Sequence, residues 1–260
     1  MQFLGNTVRE IAGEKAGIIV PGVPVIYDGN DKDAAEVIAA KAKELGSPAY
    51  KVIQAGAKVL GNNKDGIDFS LEDDYYGDTR FHIPFIAWYQ VMNASLALTT
   101  MEVLKDRIPV TMEQLQAGIA NTRWQGRMET ILPGVIVDGA HNEDGVRRFV
   151  ETAERFQKEY PLTLLFSAVN DKDYQDMIHT ICSRIKFRKV VTTEVGGYRE
   201  VPSAELAEIF CKEGCKDVGN SDNIEEAFHM AHEAKGEDGM LFCVGSLYLV
   251  GEIKTLLLKK

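Results

Sequence analysis

This sequence lacks several features that mark whole classes of protein. It has no apolar run as long as the roughly 18 to 20 residues that a membrane-spanning helix needs. Its 8 prolines and apolar share of 45% exclude a disordered or fibrous chain. The first residues show neither a basic start before an apolar stretch nor an arginine-rich amphipathic pattern, so we expect no export and a cytoplasmic protein.

Cysteine is also scarce, and basic residues are outnumbered by acidic ones. The four cysteines fall at no metal-ligand spacing, although Cys211 and Cys215 are four apart, as neighbours on one helix face are. We therefore expect free thiols. The net charge of −10 argues against a nucleic-acid partner, because such binding depends on lysine and arginine. The net charge does not exclude binding of small anionic substrates, since a few placed arginines or helix N-termini can hold them.

Two kinds of ligand motif are missing as well. Neither GxxxxGK[ST] nor GxGxxG occurs anywhere, so no phosphate cradle of either common kind can be assigned. His229 and His232 are three apart on a predicted helix, which is a spacing compatible with a metal, but no third ligand is apparent. Solvated histidines are the interpretation we favour.

The first part of the chain predicts a mixture of helices and short strands. Apolar spacing and capping residues predict helices at 7–16, 31–45, 86–104 and 111–120. The cap candidate of the first is Asn6 or Thr7, and Thr111 caps the last. Short apolar runs predict strands at 23–27, 50–53, 66–71 and 79–83. The last two strands should pair antiparallel across the polar turn between them.

The periodic spacing of apolar residues is lost near 125–133, a segment that contains glycine and proline. We therefore divide the chain into domains 1–128 and 129–260. Beyond this point strands and helices alternate, as in parallel α/β sheets. Strands are expected at 134–137, 162–169, 189–193 and 240–244, and helices at 144–160, 173–185, 203–211, 224–234 and 247–258. Ser203 is the expected cap of the helix at 203–211. Right-handed crossovers would cover both faces of the sheet and leave ligands at the carboxyl ends of its strands.

The most informative stretch is an apolar strand that ends in DGAHN at 138–142 before a helix. Asp138, at the carboxyl end of a strand, could hold a ribose or a cation, and His141 could approach a phosphate or a nucleophile. Asp138 and Asn142 could equally cap the turn and the helix, as both residue types often do. Sequence alone leaves both interpretations open.

Four other positions are weaker candidates. Lys15 lies beside a helix end and, taken alone, is typical of a surface lysine. Arg127 could bind a phosphate or form a salt bridge between the domains. Asn93, close to Gln90 on the long helix, could contact a base edge or a neighbouring loop. Ser246 opens the last helix, where it could help to bind an anion or act as an ordinary cap.

Together these segments resemble folylpolyglutamate synthases, which belong with the Mur ligases of cell-wall synthesis. The motifs that follow the order of that family are LGNT at 4–7, IAGEKAGI at 11–18, Gln90 with Asn93-Ala94, WQGR at 124–127, DGAHN at 138–142, DKD at 171–173 and GSLY at 245–248. The resemblance covers the whole chain. It implies an α/β fold, with a truncated Mur-ligase central domain followed by a Rossmann-like C-terminal glutamate ligase domain.

The resemblance also implies an activity. Such enzymes use ATP and Mg²⁺ to make an acyl phosphate from a folate carboxylate, and the amine of L-glutamate then displaces the phosphate. Dihydrofolate synthase activity on dihydropteroate is one alternative, and a non-catalytic binding or assembly module is another. Because the family's phosphate loop has no counterpart here, we expect an inactive fragment whose exposed sheet edges favour oligomers.

Site roles follow from the same resemblance. Contacts with ATP are implied for Asn93, Arg127 and Asp138, and a place near the nucleotide is implied for His141. Carbamylation is implied for Lys15, whose new carboxylate would help to hold a metal ion. A weaker implication is contact between Ser246 and the glutamyl end of the substrate.

Overall fold

The structure is a computed structural model, and it describes residues 7–63, 65–170, 173–196 and 200–258. The motif residues at 4–6 and 171–172 therefore lie outside the described residues. The chain divides into two compact units, Met1–Thr122 and Arg123–Lys260. This division falls earlier than the expected boundary after residue 128, because hydrogen bonds tie the backbone of Gly126 to that of Gly139 and the backbone N–H of Met128 to the Asp138 carboxylate in the second unit.

The first unit combines helices with two small sheets. Its helices are α1 (Val8–Ala16), α2 (Lys32–Glu44), α3 (Tyr89–Val103) and α4 (Met112–Ala120). Strands β1 (Val25–Asp28) and β2 (Ala49–Val52) pair in parallel, while β3 (Ala57–Asn63), β4 (Gly66–Leu71) and β5 (Phe81–Ile83) form an antiparallel sheet. The predicted helices and the antiparallel pairing of β4 with β5 are confirmed. Strand β3 was not predicted from the sequence, because its second half is polar and ends in Gly-Asn-Asn.

Capping residues explain where these helices begin. Thr7 forms a capping box with Glu10, and Thr111 forms one with Gln114. The side chain of Asp31 accepts an N–H bond from the first turn of α2. Each cap satisfies a backbone donor that would otherwise have no partner within the helix. The cap expected at Thr111 is therefore confirmed, and of the two candidates for α1 the cap is Thr7.

Packing in the first unit is uneven. Aromatic rings close the core around β4 and β5, where the Tyr76 hydroxyl donates to the carbonyl of Leu98 at 2.7 Å. Around β1 and β2, by contrast, apolar side chains are exposed, and Ile18 has 83% of its surface in water. The other exposed apolar residues of this region are Val20, Val23, Tyr50 and Ile53. Such surface is the basis of the oligomer expectation, which stays a prediction.

The second unit alternates strands and helices. Its strands are β6 (Glu129–Leu132), β7 (Val135–Asp138), β8 (Leu162–Phe166), β9 (Phe187–Thr192), β10 (Val218–Asn220) and β11 (Met240–Val244). Its helices are α5 (Glu143–Phe156), α6 (Tyr174–Arg184), α7 (Ser203–Lys212), α8 (Ile224–Lys235) and α9 (Leu247–Leu258). The expected α/β alternation is confirmed, but the short strands β6 and β10 were missed.

The sheet of the second unit runs in the order β10-β9-β8-β11-β7-β6, and only its β6–β7 pair is antiparallel in the described residues. Strands β8, β9 and β10 follow one another on the same side of β7, and β11 lies between β8 and β7. Helices α8 and α9 pack with the face that carries Leu165 and Cys243. On the other face, rings of α5 and α7 contact Phe242 and Phe166.

This topology determines where a ligand can bind. The helices that follow β7 and β8 lie on one face of the sheet, and α9, which follows the intervening β11, lies on the other. Connections that leave neighbouring strands for opposite faces open a crevice at the carboxyl ends of those strands. The crevice of the second unit is therefore expected beyond β7, β11 and β8.

Two local expectations are wrong. Ser203 was expected to cap α7, but the cap position is Pro202, and the buried Ser203 hydroxyl is instead bonded to Asp222 at 2.5 Å. Cys215 was expected to share a helix face with Cys211, but α7 ends before Cys215, and the Cys215 sulfur contacts Cys182.

Among the described residues, none of the helices has the length and apolar character to cross a bilayer.

We expect Gly245→Ala to destabilise the second unit by about 3 kcal/mol or more. Gly245 has a φ of +111°, and a Cβ there would lie 2.0 Å from the backbone carbonyl oxygen of Ser167. Gly214→Ala is the matched control, because Gly214 also has a positive φ of +93° but no atom within 4 Å of an added Cβ. The control should cost only about 1 kcal/mol of backbone strain. Urea unfolding followed by circular dichroism measures both, and equal losses would contradict the close approach.

Candidate functional site

The carboxyl ends of three neighbouring strands meet at one edge of the second unit. Val244, the last residue of β11, is in register with Asp138 at the end of β7 and with Phe166 at the end of β8. The residues that follow these strands therefore lie close together. They are the DGAHN turn after β7, Gly245-Ser246 after β11 and Ser167 after β8.

Asp138 is buried at this edge, with 4% of its surface exposed. One carboxylate oxygen accepts the N–H of Ala140 and the other accepts the N–H of Met128, each at 2.8 Å. The turn-capping interpretation of Asp138 is therefore confirmed. Each oxygen has a second lone pair, so these two bonds do not use up its capacity to accept a ligand donor. Contact with a nucleotide stays a prediction.

The charge of Asp138 reflects two opposing effects. Burial raises the pKa of its carboxyl to about 6, because desolvation penalises the charged form. The N–H donors of Met128 and Ala140 and the electrostatic interactions with Arg127 and His141 act to lower the pKa, but less strongly. The group is therefore mostly ionised at neutral pH and protonates only slightly below it.

The turn before β6 holds Arg127 in an unusual backbone. Gly126 and Met128 both have positive φ, of 66° and 47°, and Met128 is the one such non-glycine among the described residues. A positive φ costs a residue with a side chain on the order of 1 to 2 kcal/mol. Burial of Met128 and its bond to Asp138 hold this conformation. The exposed Arg127 is thereby carried next to Asp138.

The bonding of His141 determines which nitrogen is available to a ligand. Its Nδ1 lies 2.7 Å from the carbonyl oxygen of Gly139. Because a carbonyl can only accept, Nδ1 must carry the hydrogen, and the Nε2 of the neutral ring keeps a lone pair. The next residue, Asn142, caps α5 by accepting the N–H of Gly145 at 2.8 Å. Asn142 therefore has the capping role that was one of its two interpretations.

The first turn of α9 packs directly on the turn after β7. Leu247 covers Gly139 so closely that a Cβ there would lie 2.2 Å from the Leu247 Cδ2 atom. Ser246, with 2% of its surface exposed, accepts the N–H of Tyr248 at 3.1 Å. The hydroxyl of Ser246 thus acts as a helix cap. Its contact with the glutamyl end of a substrate stays a prediction.

Ser167 is a candidate that sequence reasoning missed. It is buried, and its hydroxyl has no hydrogen-bond partner among the described residues. Ser167 follows directly after β8, and its backbone N–H donates to the carbonyl of Val244 at 3.3 Å. A buried hydroxyl without a partner costs about 1 to 3 kcal/mol. The available signal was its position as the first polar residue after the apolar run of β8.

Lys15 and Asn93 belong to the first unit, away in sequence from the other candidates. Lys15 is exposed in the last turn of α1. The amide of Asn93 donates to the side-chain oxygen of the buried Gln90 at 2.8 Å. The two amide residues thus form the polar pair seen in the sequence. The ligand roles of Lys15 and Asn93 stay predictions.

The part of the chain that the structure describes does not bring metal-binding side chains together. No group of three or more His, Cys, Asp or Glu residues there could hold an ion. His229 and His232 are both exposed on α8, where His229 lies 4.0 Å from Glu225 and His232 stacks on Phe228. This pair therefore has the solvated environment that we favoured.

Comparison with known proteins identifies the domain and its relatives. Residues 126–247 match the Mur ligase, glutamate ligase domain. The dihydrofolate synthase/folylpolyglutamate synthase of Bacillus subtilis is 31% identical over 267 residues, which cover 98% of this chain and 59% of the relative. The crystal structure of the Thermotoga maritima folylpolyglutamate synthase has a TM-score of 0.79 at 25% identity, with 98% of this chain and 59% of that chain covered.

A third relative shares the fold. The Mycobacterium tuberculosis folylpolyglutamate synthase, whose structure is a complex with ADP and AMPPCP, has a TM-score of 0.75 at 24% identity over 98% of this chain and 61% of that chain. The chain spans about three fifths of the length of these relatives, which is consistent with their C-terminal portion. It is thus a homologue of the folylpolyglutamate and dihydrofolate synthases, and its second unit carries the glutamate ligase domain of the Mur ligases.

Proposed function

We propose that this chain supplies the C-terminal portion of an ATP-dependent ligase that joins L-glutamate to a folate as a γ-glutamyl amide. The observation that carries the proposal is the cluster at the carboxyl ends of β7, β11 and β8 in a glutamate ligase domain. Asp138, His141, Arg127 and the start of α9 all belong to it. This is where a doubly covered α/β sheet binds ligands.

The nucleotide would be held by charge and by hydrogen bonds. Bound ATP would activate the folate carboxylate as an acyl phosphate, which the glutamate amine displaces. Asp138, mostly ionised at neutral pH, can accept a bond from a ribose hydroxyl. The exposed guanidinium of Arg127 has the planar donor geometry that suits a phosphate. For Asn93, in the first unit, contact with ATP stays an implication of the resemblance alone.

The glutamate side of the reaction would use the other groups of the cluster. The Nε2 lone pair of His141 can accept a hydrogen bond or a proton from a polar group of the bound substrates. The N-terminus of α9, where Ser246 lies, favours a carboxylate because the positive end of the helix dipole points there. Both assignments depend on the homology as well as on the geometry.

Magnesium does not fit a preformed set of ligands here. The described residues bring no three metal-binding side chains together, so we derive no step through the ion. Carbamylation of Lys15 would turn an amine into a carboxylate, which is an oxygen ligand of the kind that magnesium prefers. The exposure of Lys15 leaves its amine accessible for that modification.

Turnover would also need groups that these 260 residues do not contain. The sequence has no GxxxxGK[ST] loop to cradle a triphosphate, and we propose that the chain alone is inactive. Dihydrofolate synthesis from dihydropteroate is the second candidate activity, because the Bacillus subtilis relative carries both names. A non-catalytic binding or assembly module is the remaining alternative.

A fusion protein tests the proposal. The chain would be joined behind the segment that precedes the matched region in the Bacillus subtilis relative, and glutamate-dependent phosphate release would be measured with tetrahydrofolate or dihydropteroate as acceptor. We expect release in the fusion and none from the chain alone. Arg127→Ala should lower kcat/KM at least about 10-fold through the lost phosphate contact.

The control for Arg127 is Lys212→Ala, which removes a largely exposed cation from the end of α7. This variant should keep the activity of the fusion. Activity with dihydropteroate alone would favour the dihydrofolate synthase alternative. Full activity of Arg127→Ala would remove that residue from the site, and a well-folded fusion without any glutamate-dependent release would support the non-catalytic module.

The buried carboxyl of Asp138 makes a prediction about stability and pH. Its pKa in the folded chain is about 6, above the ordinary 3.8, so folding favours the protonated form. That contribution is complete below the unfolded pKa and is lost as the pH rises through about 6. Relative to Asp138→Asn, the free energy of unfolding should therefore fall by roughly 2 to 3 kcal/mol between about pH 4 and pH 7. Denaturant unfolding across that range measures it, and parallel pH curves for the two proteins would contradict it.

A further inference from the structure

Two cysteines of the second unit lie in contact. Cys182 is in the last turn of α6, and Cys215 is in the turn between α7 and β10. Their Sγ atoms are 3.6 Å apart, although the residues are 33 positions apart in sequence. Both side chains are half-buried, whereas Cys211 is exposed and Cys243 is buried. The chain thus contains one sulfur pair and two separate cysteines that serve as internal controls.

The pair lies away from the candidate site. Helices α6 and α7 each connect the carboxyl end of one parallel strand to the amino end of the next. Their last residues are therefore at the amino edge of the sheet, whereas Asp138 and Ser246 lie at the carboxyl edge. A reaction of the two thiols can proceed without the groups proposed to bind substrate.

The surroundings make the two thiols unequal. Hydrogen bonding from Cys182 lowers the pKa of the Cys215 thiol, and the same bond together with burial raises the pKa of Cys182. The negative charge of Glu213 acts to raise both. His179 lies 2.9 Å from the Glu213 carboxylate. Cys215 therefore loses its proton first and is the attacking sulfur.

We propose that Cys182 and Cys215 form a reversible dithiol–disulfide site, which a small-molecule disulfide of the glutathione type oxidises. The bond would link the end of α6 to the turn after α7. The sulfurs must approach from 3.6 Å to a bond length of about 2.05 Å. Gly214, which has open space around it, precedes Cys215 and allows the turn to adjust.

The exchange balances in two steps. The Cys215 thiolate attacks one sulfur of the oxidised glutathione, forms a mixed disulfide and releases one glutathione thiolate, which takes up a proton. Cys182 then loses its proton and attacks the Sγ of Cys215, which expels the second glutathione thiolate. The two protein thiols are oxidised to one disulfide, and the glutathione disulfide is reduced to two thiols.

Oxidation of the full chain tests the proposal. After incubation with oxidised glutathione, intact mass spectrometry should show a loss of about 2 Da, which corresponds to two hydrogens. Peptide mapping should find Cys182 joined to Cys215, with Cys211 and Cys243 still alkylatable. The closed loop should raise the melting temperature by about 5 °C, and a dithiol reductant should reverse all three changes.

Variants separate the two steps. Cys211→Ser should keep the cross-link, and Cys182→Ser should stop at a glutathione adduct on Cys215. Cys215→Ser should give no cross-link while its circular dichroism spectrum matches that of the unmodified protein. A cross-link to Cys211, a stable adduct on Cys215 when Cys182 is present, or no reaction at all would overturn the proposal.

Discussion

The candidate site depends on the buried carboxylate of Asp138. Its two oxygens accept the N–H groups of Met128 and Ala140, so one side chain joins the turn before β6 to the turn after β7. The first turn carries Arg127 and the second carries His141. A carboxylate pays a desolvation cost when it is buried, and here two backbone donors only partly offset it. The same group therefore holds the local structure and keeps a pKa near neutrality.

Close backbone approaches complete the site around this carboxylate. Gly139 lies under Leu247, and Gly245 lies against the carbonyl of Ser167, so neither position has room for a Cβ atom. These contacts bring the start of α9 and the end of β8 to the Asp138 turn. The glycines are thus needed for space as well as for backbone conformation.

Features that depend on local chemistry could be predicted from the sequence, and features that depend on distant packing could not. The caps at Thr7 and Thr111 and the position of Asp138 at a strand end follow from a few adjacent residues. The positive φ of Met128 and the buried Ser167 hydroxyl, which finds no partner in the described part of the chain, arise only once separate strands are assembled. For the same reason the short strands β6 and β10 were missed, because partners elsewhere in the chain define them.

Three physical costs of this fold meet at one edge of the second unit, and their coincidence bears on function independently of homology. A raised carboxyl pKa, a non-glycine residue at positive φ and a buried hydroxyl without a partner among the described residues each reduce stability. All three lie at the carboxyl ends of β7 and β8 or on the turn that Asp138 holds. Stability alone would not favour placing them together. A ligand that bonds to these groups would offset the costs, which is the arrangement expected of a binding site.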